Sequence, residues 1–388
     1  MLKKNKSSSI VVIDIIGSSI KICEIENFGN LKKTLVKKVG NAELPELIQD
    51  GIIKNEDEVA LEISKILKEN NITSVNCYMT FNSSSIVRRV IPIKNVNIDA
   101  EMKKNLIGME LTKYIPINIS DYDIEYRELK NNSTNSEESS DDIVNVDVFA
   151  CPKQVIMASF NTIKKANLKP LVLDLTDNAM LKFLITYGYV TNDKTFVVME
   201  LNTNNISFSI ISDNEIKLNR IIEYGVSSFD TIKNKLLKIN TTESLIKVLE
   251  LNNLDLIKKI YLHLRGFQYM DIDEFMKTVG FSDFNVNDVF NSEQISYLDV
   301  ILNNQDRFLD DIDKFVKYYT TRFQKYEIDG IYIYGYNYKI DELISKIEKI
   351  VNSKCNVLDL ERAVNIGEYS IDEVMKYVNC IAATVRIN

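Results

Sequence analysis

Apolar residues follow two different periods along the first 70 residues. The run IVVIDII at 10–16 is continuously apolar and rich in β-branched side chains, which is typical of a buried strand. After Gly-Ser-Ser, the alternation in IKICEIE at 20–26 predicts a second strand, so the two segments form a hairpin. Residues 56–70 repeat their apolar positions at helical spacing and carry carboxylates in the first turn, which predicts an amphipathic helix.

The same two periods continue to about residue 188. The patterns predict strands at 74–81, 84–93, 122–129, 143–152 and 168–175, and helices at 99–115, 153–167 and 177–188. The helix at 99–115 is expected to stop before Pro116. The segment 130–142 has no apolar residue, so we expect a solvated, mobile loop between two strands.

The second half of the chain begins like the first half. Strand patterns at 195–202, 205–212 and 215–225 repeat the layout of the N-terminus, which suggests two duplicated lobes. The region 227–327 is mostly helical in pattern. Residues 330–351 predict a strand, a turn and a helix, and 370–385 predict a final helix.

Size and composition indicate a globular protein of two domains. The chain has 388 residues, of which 45% are hydrophobic and 26% are charged. A net charge of -8, spread along the chain, argues against a broad nucleic-acid surface. There is no stretch of about 18 apolar residues, and MLKKNKSSS lacks the apolar segment of a secretory signal, so we expect a cytoplasmic protein.

Cysteine and histidine positions do not suggest a metal or nucleophile site. The five cysteines contain no CxxC pair, which favours reduced, mostly buried thiols over a zinc site or a disulfide framework. His263, the single histidine, lies in the apolar run IYLHLRGF and is expected to be packed or at the surface rather than catalytic.

Four motifs in order carry a family resemblance. They are VVIDIIGSSIKICEI, the run from DGIIKNEDE to SSSIVRRVIPI, ELTKYIP at 110–116, and DYDIEYREL. Their order and spacing resemble the family of the type IV pilus assembly protein PilM, related to the division protein FtsA, most closely in the first 175 residues. The resemblance implies an α/β, bilobed actin/hexokinase/Hsp70-like fold with ribonuclease H-like lobes and a small α+β subdomain inserted in the first lobe.

The resemblance also implies domain boundaries. They are 1–81 plus 173–194 for the first lobe, 82–172 for the inserted subdomain, 195–226 plus 311–388 for the second lobe, and 227–310 for its helical subdomain.

Actin-like proteins hold nucleotide between two hairpins, and the first hairpin here departs from that pattern at one position. Backbone N–H groups of tight turns bind the phosphates, and an aspartate in each hairpin positions magnesium or water. The resemblance places Asp14 as the first acid and metal ligand, and the first turn retains Gly17, Ser18, Ser19 and Lys21. Ile16 replaces the family's glycine, and its β-branched side chain is expected to crowd a phosphate.

The second hairpin departs further from the family pattern. Glu200 replaces the second metal-positioning aspartate, and Asn202 replaces a glycine that an asparagine in a left-handed turn could imitate. The remaining candidates for nucleotide contact are Thr203, Asn205, Gly225, Gly335 and Tyr336. Three interpretations stay open: turns that only connect a retained fold, a site that binds ATP and Mg without useful hydrolysis, and a working ATPase.

The resemblance implies a scaffold that captures the cytoplasmic N-terminal peptide of PilN, a membrane protein of the pilus inner-membrane assembly complex. A cleft between the first lobe and its inserted subdomain would take an extended peptide, with contributions from 86–93 and 102–114. Arg88 and Arg89 are the candidate contacts, unless they are solvated charges at a strand edge.

Two other functions remain as alternatives. One is an ATPase or small-molecule kinase built on Asp14 and Glu200. The other is a filament protein like FtsA, but such proteins carry a C-terminal amphipathic helix that 370–388 does not resemble. We therefore expect membrane contact only through a partner.

Overall fold

A computed structural model of the chain shows two compact units. The first unit comprises Met1–Tyr187 and Leu360–Asn388, and the second comprises Gly188–Asp359. The structure describes residues 9–26, 33–94, 98–114, 118–129, 143–227, 229–239, 242–251, 253–266, 289–323, 327–336 and 341–386. The loop predicted at 130–142 and the helix stop at Pro116 lie outside these ranges.

The first unit contains eleven strands and six helices within the described ranges. The strands are β1 (Ile10–Ile16), β2 (Ser19–Glu26), β3 (Thr34–Glu43), β4 (Ile48–Gln49), β5 (Ile52–Ile53), β6 (Asn76–Phe81), β7 (Val87–Lys94), β8 (Tyr122–Glu128), β9 (Ile143–Pro152), β10 (Lys169–Leu175) and β16 (Val364–Asn365). The helices are α1 (Glu56–Glu69), α2 (Ala100–Thr112), α3 (Lys153–Lys165), α4 (Thr176–Thr186), α10 (Ile371–Val374) and α11 (Val378–Ala382).

The main sheet of this unit, called the first sheet, has the strand order β10-β6-β1-β2-β3-β16. The strands β1, β2 and β3 form an antiparallel meander, and β6 and β10 run parallel to β1. Helices α1 and α3 cover one face, and α11 packs against β1 and β2. Because helices contact it from several sides, β1 is buried along its whole length, as its continuous apolar run predicts.

A separate three-stranded sheet, called the inserted sheet, has the order β7-β9-β8 and is covered on one face by α2. Its own core includes Ile91, Ile107, Leu111, Val146 and Val148. The inserted subdomain predicted at 82–172 extends too far, because α3 packs into the core of the first sheet and β10 is an edge strand of that sheet.

The second unit repeats the topology of the first sheet. Its strands are β11 (Thr195–Leu201), β12 (Ile206–Ser212), β13 (Glu215–Ile222), β14 (Gly330–Tyr334) and β15 (Cys355–Val357). In the order β13-β12-β11-β14-β15, an antiparallel meander is again followed by two parallel strands. The repeated layout predicted from the two hairpin patterns is confirmed.

Helices complete the second unit. They are α5 (Phe229–Leu236), α6 (Glu243–Glu250), α7 (Leu254–Leu264), α8 (Ser292–Phe323) and α9 (Asp341–Val351). The 32-residue α8 packs Leu298 and Leu302 with α5–α7, and Phe308 and Ile312 with the sheet. One helix therefore contributes to two hydrophobic cores, and the domain boundary predicted at residue 310 falls inside this helix. None of the helices in the described ranges is long and apolar enough to span a membrane.

The C-terminal segment corrects two predictions. Residues 360–388 belong with the first unit and not with the second lobe, since β16 pairs parallel with β3 and α11 packs on β1 and β2. The single helix predicted at 370–385 is divided into α10, a 3-10 turn at Met375–Tyr377, and α11. Both units contain a sheet of the same topology, so the apolar pattern alone does not tell which sheet the segment packs against.

Candidate functional site

The first candidate turn joins β1 and β2 through Gly17 and Ser18, with Ile16 paired to Ser19. Gly17 has φ 61°, and Ser18 does not have a positive φ. A positive φ at only the first central residue of a two-residue hairpin is the type II′ arrangement, which favours glycine at that place. Gly17 takes the glycine-like conformation of this turn, and Ile16 is a fully buried strand residue. That Ile16 would crowd a phosphate stays a prediction.

The carbonyls of this turn accept hydrogen bonds from the neighbouring loop. The Gly51 N–H donates to the Gly17 carbonyl at 2.7 Å, and the Leu44 N–H donates to the Ser18 carbonyl at 2.8 Å. The Ser18 hydroxyl donates to the Glu43 carboxylate at 3.2 Å. A carboxylate beside the turn disfavours a second anion there, so the surroundings of the turn oppose phosphate binding.

Asp14 lies on β1 and is fully buried. Its Oδ1 accepts hydrogen bonds from the hydroxyls of Thr80 at 2.8 Å and Thr176 at 2.9 Å. Its Oδ2 accepts a hydrogen bond from the Asn379 amide at 3.0 Å. Mg²⁺ needs an accessible oxygen and usually keeps several waters, so an enclosed carboxylate with donors on both oxygens does not fit a magnesium ligand.

The rest of the first hairpin is equally enclosed. Lys21 faces Asp14 across the hairpin and is buried, and the Cys380 thiol donates to the Lys21 carbonyl at 3.5 Å. Burial raises the pKa of the Cys380 thiol well above its ordinary value, and the neighbouring Cys23 raises it further. The helix α11, which carries Asn379 and Cys380, thus packs over the hairpin and contributes to its burial.

A loop after β6 is tied to Asp50, so the beginning and the end of the second family motif meet in space. The Asp50 carboxylate accepts the Ser84 N–H at 2.9 Å, the Ser84 hydroxyl at 2.6 Å and the Ser83 hydroxyl at 3.1 Å. Gly51 has φ 69°, and a Cβ built on it would lie 1.9 Å from the Asn82 carbonyl oxygen. The Asp-Gly pair at the start of this motif therefore binds the serines near its end.

We expect Gly51→Ala to lower the free energy of unfolding by about 2–3 kcal/mol, because it combines a positive φ with a clash against backbone. Urea unfolding measures this loss. Gly188→Ala is the matched control, since Gly188 has φ 72° but no atom within 4 Å of an added Cβ. Equal losses in the two variants would show that only backbone conformation matters at Gly51.

The turn between β11 and β12 is organised around Asn202. The Asn202 N–H donates to the Asn205 carbonyl at 3.1 Å, and its side-chain amide donates to Asn205 Oδ1 at 3.1 Å. Its carbonyl accepts the Val226 N–H at 3.0 Å, and its Oδ1 accepts the Tyr336 N–H at 3.4 Å. Asn202 has a negative φ, so it does not imitate a glycine but links three chain segments instead.

Two glycines approach this turn closely. A Cβ on Gly225 would lie 2.1 Å from the Thr203 carbonyl carbon. Gly335 has φ 103°, and a Cβ there would lie 2.9 Å from the Leu201 carbonyl oxygen. The structure therefore brings together the candidate residues of the second unit, including Glu200, which is buried, and Tyr336, which is half exposed.

The described residues contain no group of three or more His, Cys, Asp and Glu side chains that could hold a metal ion. Asp14 and Glu200 belong to different units, and each is buried. Their assignment as metal ligands stays a prediction, and the enclosure of Asp14 argues against it.

Arg88 and Arg89 have different environments. Arg88 donates through Nε and Nη2 to the two oxygens of Asp147 at 3.1 and 2.6 Å, and its guanidinium lies 4.6 Å from the Phe149 ring centroid. Arg89 is exposed, and its guanidinium lies 4.8 Å from the Tyr114 ring centroid. Arg88 is thus engaged inside the unit, whereas Arg89 lies at its surface.

The Arg88–Asp147 pair belongs to a charge network at the start of α4. Asp147 also accepts from Arg127 Nη2 at 3.0 Å, and Arg88 Nη1 lies 3.6 Å from Asp177 Oδ2. Burial raises the pKa of Asp177, although the charge of Arg88 acts in the opposite direction. The inserted sheet is thereby held to α4 by buried charges.

A second ion cluster lies three residues before Asp177. Burial alone would raise the pKa of Asp174, but Lys182 and Arg386 outweigh it and hold that pKa below its ordinary value. Arg386 Nη1 donates to Asp174 Oδ2 at 3.0 Å. The C-terminal segment is thus tied to β10 as well as to β1.

Sequence reasoning missed four of these residues: Thr176, Asp177, Asp147 and Asn379. A usable signal existed for the first two, because they directly follow a predicted strand, and the carboxyl ends of parallel strands meet at one edge of a sheet. Asp147 and Asn379 lie within apolar patterns that predict only a strand and a helix.

Comparison with solved structures identifies the fold. A structure described as the PilM-PilN type IV pilus biogenesis complex superposes with a TM-score of 0.65, at 15% sequence identity, over 97% of this chain and 97% of that chain. MreB 5 of Spiroplasma citri bound to AMPPNP gives 0.41 at 10% identity, over 98% and 95% of the two chains. Ta0583, an archaeal actin homolog in complex with ADP, gives 0.39 at 10% identity, over 97% and 98%. The first of these likenesses and the repeated sheet topology confirm the predicted actin-like α/β fold class.

Sequence comparison identifies the family. No match is found among curated proteins. The family described as type IV pilus assembly protein PilM matches residues 12–238, which is more than half of the 388 residues. The matched region includes both hairpins, the inserted sheet and the Asp50 loop. The chain therefore belongs to the type IV pilus assembly protein PilM family.

Proposed function

We propose that this protein is a scaffold of type IV pilus assembly that binds the cytoplasmic N-terminal peptide of PilN at the inserted sheet. The observation that carries the proposal is an exposed basic and aromatic pair, made of Arg89 on the edge strand β7 and Tyr114 in contact with it. Family membership supports the assembly role, and the similar structure named as a PilM-PilN complex supports the choice of partner.

The edge strand β7 is suited to an extended peptide. Among the described strands, β7 pairs with β9 alone, so an added strand finds backbone donors and acceptors along its outer side. Val90 on this strand is 45% exposed, and α2 presents Met102 and Met109, which are 59% and 69% exposed. Flexible methionine side chains adapt to an apolar partner surface.

Through this partner the protein would lie at the inner face of the cell membrane, as part of the inner-membrane assembly complex. Residues 86–93 and 102–114 would provide the contacts, with Arg89 reaching the peptide directly. Arg88 would support β7 from within the unit and not contact the peptide, because its guanidinium donates to both oxygens of Asp147.

The nucleotide site is proposed to be degenerate, a pseudo-ATPase. The enclosure of Asp14 and the carboxylate of Glu43 beside the first turn support this proposal. A second candidate function, ATP binding without useful hydrolysis, is favoured by one observation: Asn202, Gly225 and Gly335 converge on a single turn of the second unit.

Isothermal titration with the synthetic N-terminal peptide of PilN tests the scaffold proposal. We expect the unaltered protein to bind, and Arg89→Ala to weaken the affinity about tenfold, because an arginine at an interface contributes roughly 1–2 kcal/mol. Arg220→Ala is the control, since Arg220 is an exposed arginine on β13 in the second unit.

Absence of peptide heat with the unaltered protein would refute PilN binding. An equal loss of peptide affinity in the two arginine variants would still support PilN as the partner but would show that Arg89 is not part of the binding site.

A further inference from the structure

We infer that Asp14 is a positioning residue for the inserted sheet, and that it acts through Thr176 and Asp177 at the start of α4. The residue that resemblance assigns to magnesium would thus hold the peptide-binding subdomain in place. The inference rests on the proposed function only for its effect on peptide affinity, since the placement of the sheet is measurable by itself.

The first step links Asp14 to α4. Thr176 is the first residue of α4, is buried, and donates its hydroxyl to Asp14 Oδ1 at 2.9 Å. The residue before the helix, Leu175, provides no side-chain cap. The start of α4 is therefore fixed by a carboxylate from β1, which also suits the positive end of the helix dipole.

The second step links α4 to the inserted sheet. Asp177 directly follows Thr176, and its Oδ2 lies 3.6 Å from Arg88 Nη1 on β7. The side chains of Asp177 and Arg88 are only 7% and 13% exposed, so their attraction is weakly screened. Arg88 in turn donates two hydrogen bonds to Asp147 on β9. A shift of the first turn of α4 would move Asp177 and so change the support of β7.

The two oxygens of Asp14 serve different segments, which separates positioning from general stability. Oδ1 accepts from Thr80 and Thr176, and Oδ2 accepts from Asn379 in the C-terminal segment. Removing the Asn379 donor loosens the same carboxylate at Oδ2 and leaves the hydrogen bond from Thr176 to Oδ1 in place. Removing the Thr176 donor loosens α4 and leaves the C-terminal contact in place.

Hydrogen exchange of the full-length protein tests the inference with three variants. Thr176→Val removes the hydroxyl at nearly constant volume, Thr176→Ser keeps it, and Asn379→Ala removes the opposite donor. We expect Thr176→Val to speed exchange in residues 87–94 about tenfold, with Thr176→Ser close to the unaltered protein. Asn379→Ala should speed exchange in residues 378–386 and leave 87–94 unchanged.

Peptide affinity gives the second readout. We expect Thr176→Val to weaken binding of the PilN peptide about fivefold and Asn379→Ala to leave it unchanged. If both variants speed exchange in 87–94 equally, or if neither does, the positioning role is overturned. If the unaltered protein binds no peptide, the proposed function fails, while the exchange pattern still decides the role of Asp14.

Discussion

Asp147→Ala is expected to lower the free energy of unfolding of the first unit by about 3–5 kcal/mol. The Asp147 side chain is only 2% exposed and accepts from Arg88 and Arg127. Removing a buried carboxylate leaves the Arg88 guanidinium enclosed without its main partner, and desolvation of an unpaired charge is costly. Urea unfolding followed by circular dichroism measures the loss.

Glu125→Ala is the matched control for that measurement. Glu125 is a carboxylate on β8 of the same sheet and is ion-paired with Lys104, but its side chain is 69% exposed. An exposed pair contributes about 0–1 kcal/mol, so the control should be nearly neutral. Joint replacement of Asp147 by Leu and Arg88 by Met should recover only part of the stability, because it removes the enclosed guanidinium but also takes the Arg88 partner away from Asp177. If Asp147→Ala costs no more than Glu125→Ala, the buried network does not hold the sheet.

Hydrophobic pattern was sufficient for most of the strands and helices. β1 was predicted because a continuous β-branched run is typical of a buried strand, and β11 because its pattern repeats the layout of the N-terminus. The structure buries every residue of both. Helix α1 was predicted from the spacing of its apolar residues and from its acidic first turn. The structure adds the N-cap Asn55, whose side chain accepts hydrogen bonds from the backbone N–H groups of Asp57 and Glu58.

The apolar pattern did not predict which of two sheets with the same topology the C-terminal segment packs against. Residues 360–386 contain the apolar positions of a buried segment, but the first and second units offer sheets of the same topology. What selects the first unit is a set of specific contacts, such as the Tyr377 hydroxyl on Asn41 and the Asn379 amide on Asp14. Such pairings join residues more than 300 positions apart, and no local period reports them.

In the candidate site, residue type identified the glycines of the turns but not the roles of the buried charged residues. Gly17, Gly225 and Gly335 were identified because close backbone approach needs glycine, and the structure shows positive φ or a close approach at each of them. The roles of Asp14 and Arg88 depend on what encloses them, namely α4, α11 and β9. Residue type suggests a ligand and a partner contact, whereas the burial of Asp14 and Arg88 favours a role as internal supports.

Asp14→Ala is expected to lower the free energy of unfolding by about 3 kcal/mol, in EDTA and in excess Mg·ATP alike. The substitution leaves the hydroxyls of Thr80 and Thr176 and the amide of Asn379 without their shared carboxylate. Each buried donor left unsatisfied costs about 1–3 kcal/mol, partly relieved if water enters the space. Asp14→Asn should lose less, because its carbonyl oxygen still accepts from the two threonines while its amide faces that of Asn379.

The comparison across the two conditions separates an internal support from a magnesium ligand. A ligand that binds the folded protein raises its stability by an amount that depends on affinity and concentration. If Asp14 held magnesium, Mg·ATP would stabilise the unaltered protein and this gain would vanish in Asp14→Ala, so the measured loss would be larger in Mg·ATP than in EDTA. Equal losses are expected because the carboxylate is enclosed by Thr80, Thr176 and Asn379. A loss confined to Mg·ATP would restore Asp14 to the nucleotide site and contradict its role as an internal support.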